Sequence, residues 1–273
     1  MKKIILAFDG TNFPEAAFEF ACKINELQPV LLTGAFLPQV LLANLWSYST
    51  PGGAIFIPLV DSEEDDLVQQ NIQRFEKLCK EKKINCTVHK DFFDLGLSAL
   101  EKESRFADLL ILGSEKFYNN SAKAEIDSFL ELALHDVKCP VLLVPKHFSF
   151  PQKLILCYDG SEESVFAIKQ FAYLFPEFLN IPAILVYATK KNDEDFPEKY
   201  SIEELVKEHF KNLSFLKLVA NPKTYFNIWA KENKGAMVIS GSYSRSGLSQ
   251  VFKKSFMKQV IADHQLPVFI AHQ

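Results

Sequence analysis

Glycine is scarce in this chain, at 10 of 273 residues, about half the average share of roughly 7%. Proteins that bring their backbone close to phosphate use glycine to do it, so each remaining glycine is informative. Long hydrophobic runs are missing too. No stretch approaches the roughly 18 apolar residues of a membrane-spanning helix, and the opening MKKIILAFDG places Asp9 directly after a short apolar run, too short for the core of an export signal. Neither sign of charge dominates: 30 Lys plus Arg face 34 Asp plus Glu, a net −4, which gives no global pull toward nucleic acid or an anionic membrane. Cys22, Cys79, Cys86, Cys139 and Cys157 are odd in number and form no C-x-x-C, which suits a reducing compartment. The six histidines are scattered, so no metal set is legible. The expectation is a cytoplasmic protein with no structural metal, no nucleic-acid partner and no membrane partner. There is also no G-x-x-x-x-G-K-[ST], no G-x-G-x-x-G, no G-x-S-x-G and no H-E-x-x-H. No nucleophile stands with a base and an orienting group at readable spacing, which argues against an enzyme.

What is present is an ordinary globular composition, 48% apolar and 23% charged, with phenylalanine unusually frequent at 25 residues. At roughly 150 residues per domain the length fits two domains, and an internal repeat places them. KKIILAFDGT at 2–11 is echoed by QKLILCYDGS at 152–161, LLILGS ending at Ser114 by MVISGS ending at Ser242, and CPVLLVP around Pro140 by LPVFIAH around Pro267. The offset falls from 150 to 128 along the way, so the first copy holds about 22 extra residues, placed between Leu37 and Val60. The repeats are read as 1–147 and 151–273, with the boundary in KHFSFPQ.

Within each copy short apolar runs alternate with amphipathic helical patterns, the signature of β-α-β units and a parallel sheet. The runs are IILAF, VLLTGAF, CTVHK, LLILG and VLLV, then LILCY, AILVYA, FLKLVA, MVIS and VFIA. Helices are predicted over FPEAAFEFACKINEL and SEEDDLVQQNIQRFEKLCKEK, where apolar positions recur at three and four residues. The predicted fold class is α/β: two tandem Rossmann-like doubly wound domains, each a five-stranded parallel sheet with helices on both faces.

Ligands of open parallel sheets bind outside the carboxyl ends of the strands, so the loops after strands one and four carry the functional reading. After strand one stand Asp9, Gly10, Thr11 and Asp159, Gly160, Ser161. On one reading Thr11 and Ser161 cap the next helix and glycine makes the turn; on the other the aspartate accepts hydrogen bonds from a ligand. After strand four the second copy reads GSYSRSGLSQVFKKSF, where Gly241, Ser242, Ser244 and Gly247 precede a predicted helix whose N-terminus would attract an anion. Arg245, Lys253, Lys254 and Lys258 add positive charge. The first copy has GSEKFYNNSAKAEIDSF instead, with Glu115, Glu125 and Asp127 repelling a phosphate.

The two DG-hydroxyl turns, the GS loops after strand four and the closing CPVLLVP and LPVFIAH resemble the universal stress protein (UspA-like) family in a tandem, two-domain form. Nucleotide-binding members of that family carry Gly, two residues, Gly, nine residues, Gly and then Ser or Thr after strand four. Laid on the second copy, this pattern falls on Gly241, Ser244, Lys254 and Ser255, with serine and lysine at two glycine positions. On the first copy only Gly113 and Ser128 fit. The resemblance implies a cytoplasmic stress-response binding module with at most one site for ATP or another adenine nucleotide, in the second copy. Its candidate residues are Asp159, Gly160, Ser161, Gly241, Ser242, Ser244, Gly247, Lys254 and Ser255, with Tyr187 at the end of strand two toward the base. It also implies that the copies pair through their last strands as an internal pseudo-dimer, and it leaves a further homodimer open. The alternative is a scaffold for dimerisation and protein interaction that binds no nucleotide; a slow ATPase ranks below both, since no general base is legible.

The insertion LPQVLLANLWSYSTPGGAIFIPLV emerges on the ligand side of the sheet. It is expected to form a short amphipathic helix over apolar surface; the other reading of a loop this long is a lid or a docking site for a protein partner at 37–60.

Overall fold

In a computed structural model of the protein, the structure describes residues 1–9, 11–37, 45–50, 53–58, 62–90, 96–113, 128–189, 193–219, 232–241 and 266–271. The first repeat contributes β1 (Lys2–Phe8), α1 (Glu15–Leu27), β2 (Val30–Phe36), β3 (Leu45–Thr50), β4 (Gly53–Pro58), α2 (Ser62–Glu81), β5 (Asn85–Lys90), α3 (Gly96–Ser104), β6 (Leu109–Gly113), α4 (Ser128–Asp136) and β7 (Val141–Val144). The second contributes β8 (Lys153–Tyr158), α5 (Glu162–Leu174), β9 (Ala183–Thr189), α6 (Lys199–His209), β10 (Leu213–Val219), β11 (Ala236–Gly241) and β12 (Val268–Ala271). All ten apolar runs read from the sequence are strands.

In each repeat the strands lie in the order third, second, first, fourth, fifth, the doubly wound arrangement. Because the direction of winding reverses at the first strand, right-handed crossovers put α1 and α2, and likewise α5 and α6, on one face of their repeat, and in the first repeat α3 and α4 on the other. The strands are buried on both sides: β1 from Ile4 to Phe8 and β8 from Leu154 to Tyr158 are buried without a break. That explains why they read as unbroken apolar runs rather than as alternation.

The chain forms two compact units, one comprising Met1–Leu110 with Lys116–Lys138 and the other Ile111–Glu115 with Cys139–Gln273. In the first unit β1 pairs with β2 and β2 with β5, both parallel, and Lys3 and Asp108 exchange hydrogen bonds where β6 begins, Lys3 N–H to Asp108 Oδ2 at 2.8 Å and Asp108 N–H to the Lys3 carbonyl at 2.9 Å. In the second unit β10, β9, β8, β11 and β12 are parallel neighbours, and β7 joins β12 antiparallel, with Leu142 opposite Phe269. The compact units therefore part ahead of β7, whereas the repeats part near 147–151. The closing strand of the first repeat lies between β6 of its own repeat and β12 of the second.

The insertion corrects one expectation. Its described part is an antiparallel hairpin, β3 with β4, with Trp46 opposite Ile57 and Thr50 opposite Gly53, and no helix. WSYST and AIFIP are rich in β-branched and aromatic residues on either side of the Pro-Gly dipeptide, a hairpin pattern in the sequence that the 3.6-residue reading overlooked. Among the described residues no helix is long and apolar enough to cross a membrane.

Candidate functional site at the carboxyl ends of the strands

In the second repeat, β8 ends at Tyr158 opposite Tyr187 of β9, and β11, which pairs Ile239 with Leu156, ends at Gly241 on the same level. The structure thus brings Asp159, Gly160, Ser161, Tyr187 and Gly241 to one edge of the sheet. Ser242, Ser244, Gly247, Lys254 and Ser255 lie outside the described residues.

The turn after β8 is built by its own side chains. Gly160 has φ +80°, a backbone that costs side-chain-bearing residues energy. Asp159 Oδ1 accepts from the Ser161 N–H at 3.0 Å and from the Ser161 hydroxyl. Ser161 in turn caps α5, its Oγ accepting from the Ser164 N–H at 3.2 Å, with Glu162 and Glu163 in the first turn where the helix dipole favours acids. Ser161→Ala should therefore cost about 1 kcal/mol, read as a lower urea midpoint. Gly241 packs against that same first turn: a Cβ placed on it would lie 2.5 Å from the Glu163 carbonyl carbon and 2.6 Å from the Ser164 nitrogen. Its first role is to let β11 and α5 meet.

The capping expectation fails for Thr11. Helix α1 starts at Glu15, with Pro14 at the N-cap and no side-chain cap, and Thr11 belongs instead to a turn organised by Asp9. The Asp9 carboxylate is buried; Oδ1 accepts from the N–H groups of Thr11 at 3.0 Å and Asn12 at 2.7 Å, and Oδ2 accepts from Asn12 Nδ2 at 2.6 Å. Both oxygens are engaged by the loop itself. Asn71 Nδ2 donates to the Thr11 carbonyl at 2.9 Å, holding the turn to α2. Thr11→Ala should change the stability read from urea unfolding by less than about 0.5 kcal/mol, in contrast to Ser161→Ala.

The two repeats differ most at the end of their first two strands. Where the second has Tyr158 opposite Tyr187, the first has Phe8 opposite Phe36. Those rings stack at 4.2 Å and 11°, and Phe75 of α2 sits edge-on to both, at 5.6 and 6.2 Å. Phe13 meets the edge of Phe8 at 5.3 Å, and Phe18 meets Phe13 and Phe75. Arg74 lies 4.3 Å above the Phe13 ring while pairing with Glu15. Five phenylalanines fill this end of the first repeat. The sequence signal was there, in 25 phenylalanines and in Phe36 standing where the second copy has Tyr187, but spacing alone did not reveal that they converge.

Sequence reasoning also missed the segment after β9. Phe196 lies on Tyr187, ring centroids 5.4 Å apart, and the Tyr158 hydroxyl donates to the Pro197 carbonyl at 2.8 Å. Burial, and then the Glu194 carboxylate, push the Tyr187 phenol above its ordinary range; burial, and then Glu198 and Asp159, do the same for Tyr158. This edge of the second repeat is aromatic and acidic. Cys157, one residue before Tyr158, is buried, and loss of water pushes its thiol up to about 12, the state of an inert core cysteine.

No family model matches the chain, and no curated protein does. Solved structures do. A universal stress protein from Archaeoglobus fulgidus aligns over 99% of this chain and 98% of its own, with TM-score 0.69 and 15% identity. A putative universal stress protein from Pseudomonas aeruginosa aligns over 100% of this chain and 93% of its own, with TM-score 0.59 and 13% identity. A functionally unknown protein from the same species covers 100% and 92%, with TM-score 0.59 and 14% identity. The order of strands and the full-length match agree: this chain has the fold of the universal stress proteins, present twice in tandem.

Proposed function

We propose that the protein is a stress-response binding module, not an enzyme, that takes up one adenine nucleotide, ATP or AMP, at the carboxyl edge of its second repeat. The observation that carries this reading is the contrast between the repeats: stacked phenylalanines stand at the first edge, whereas tyrosines together with Asp159, Gly160, Ser161 and Gly241 converge on the second. Ser242, Ser244, Gly247, Lys254 and Ser255 would serve the phosphates, with lysine charge taking the place of the glycine's close backbone approach at position 254. The module acts in the cytoplasm as a pseudo-dimer of its repeats, a reading supported by the antiparallel pairing of β7 with β12; a homodimer and a protein partner for 37–60 belong to the same proposal.

The test is to denature the purified protein, analyse the released small molecules by mass spectrometry, and titrate the protein calorimetrically with ATP, ADP and AMP. About one adenine nucleotide per chain, or saturable binding lost in Asp159→Ala, is the expected result. No release, and no binding at millimolar ligand, would overturn the nucleotide reading in favour of a nucleotide-free interaction scaffold. That second reading draws on serine and lysine at positions 244 and 254.

A further inference from the structure

The segment 193–198 returns from β9 to the site and lies on it. Pro197 is packed so closely on the turn after β8 that a Cβ on Gly160 would meet its ring at 2.7 Å, and its carbonyl accepts from the Tyr158 hydroxyl. Phe196 covers Tyr187 and meets the edge of Phe215 at 6.0 Å. Glu194 accepts a hydrogen bond from the Thr189 hydroxyl, and Asp195 accepts from the Phe196 N–H at 2.8 Å and from Lys199 Nζ at 3.1 Å. As a result Tyr187 is only 7% exposed and Tyr158 2%. A planar base cannot reach the Tyr187 ring while Phe196 is on it.

The segment is nevertheless lightly held. Its residues Asp193, Glu194, Asp195 and Glu198 are exposed and only Phe196 and Pro197 are half-buried. Glu198, the hinge into α6, has φ +43°, a left-handed backbone in which residues other than glycine are strained. Few buried contacts and a strained hinge are the marks of a segment that opens locally without global unfolding.

We propose that residues 193–198 form a strap that closes the second repeat's site, Phe196 standing in for the ligand base on Tyr187, so that nucleotide binds only when the strap lifts. This rests on the reading above that Tyr187 and the Asp159 turn line a nucleotide site. A site that is competent only in a minor open state binds with an apparent affinity lowered by that state's population. Weakening the strap therefore tightens binding, with no new contact to the ligand.

The experiment is calorimetric titration of the full-length wild type, Phe196→Ala and Glu194→Ala with ATP and with AMP. Hydrogen exchange across 193–198 is measured in the wild type with and without nucleotide, and each variant is first shown to melt cooperatively. Glu194→Ala removes the hold on Thr189 and the carboxylate beside Tyr187 but leaves the Phe196 ring in place, so it is the second reading of the strap if Phe196→Ala fails to fold. The strap predicts at least tenfold tighter binding in Phe196→Ala, a smaller gain in Glu194→Ala, and faster exchange of the segment when the wild type is saturated. Unchanged or weaker affinity in the variants of a wild type that binds overturns the strap and leaves the site reading intact. No binding by any of the three folded proteins overturns the site reading, and the strap with it.

Discussion

Replacing Gly241 by valine should unfold the second repeat. The new Cβ would lie 2.5 to 2.6 Å from three backbone atoms of Glu163 and Ser164, none of which can move aside as a flexible side chain would, because they form the first turn of α5. Overpacking against yielding side chains typically costs about 1–3 kcal/mol; against a helix backbone the loss should be above about 3 kcal/mol, enough to remove much of a domain's margin of roughly 5–15 kcal/mol. The check is urea unfolding monitored by far-ultraviolet circular dichroism, where Gly241→Val should show a lower midpoint or an unfolded baseline in buffer. A midpoint within experimental error of the wild type would show that β11 and α5 are not in the contact described. Any nucleotide binding lost in this variant reports on folding, so Asp159→Ala is the substitution that addresses ligand contact.

Phe75→Ala should have a comparable effect in the first repeat. The ring is fully buried and touches Phe8, Phe18 and Phe36 edge-on, so truncation loses both its transfer free energy and the packing around the void, about 3–5 kcal/mol. Gly34 provides an internal control. A Cβ there would approach the Phe75 ring to 3.0 Å, so Gly34→Ala alone should destabilise, while Gly34→Ala with Phe75→Leu should cost less than the two single changes added together. A double-mutant cycle by urea unfolding reads this directly. Additive effects would mean that the phenylalanine cluster is not packed against β2 at Gly34.

Much of this architecture was legible in the chain, for identifiable reasons. Parallel strands buried on both faces leave unbroken apolar runs, which is why β1 and β8 could be read and matched at a fixed offset. Helix α5 announces its start with Ser161 followed by two glutamates, and it starts there; α1 has the similar Thr11 but begins at Glu15, after Pro14, because Asn12 and Asp9 settle that turn by themselves. The hairpin at Leu45–Thr50 and Gly53–Pro58 was misread because apolar and aromatic residues dense enough to satisfy one period satisfy the other as well. At the site, local chemistry was visible in Asp159, Gly160 and Ser161. Phe75 reaching the ends of β1 and β2, and Phe196 folding back on Tyr187, depend on how helices and loops return to the sheet, and no short spacing encodes that.

The contrast between Phe8 with Phe36 and Tyr158 with Tyr187 bears on how such a protein can change over generations. In a symmetric dimer of identical chains every substitution appears twice, so a mutation that fills one cleft fills both and the activity disappears at once. When two copies are translated as a single chain that symmetry is broken in the gene. On the binding reading proposed above, one half exchanges a cleft for aromatic packing while the other is selected separately, and the filled half survives as a companion whose stability is inherited along with its neighbour's chemistry.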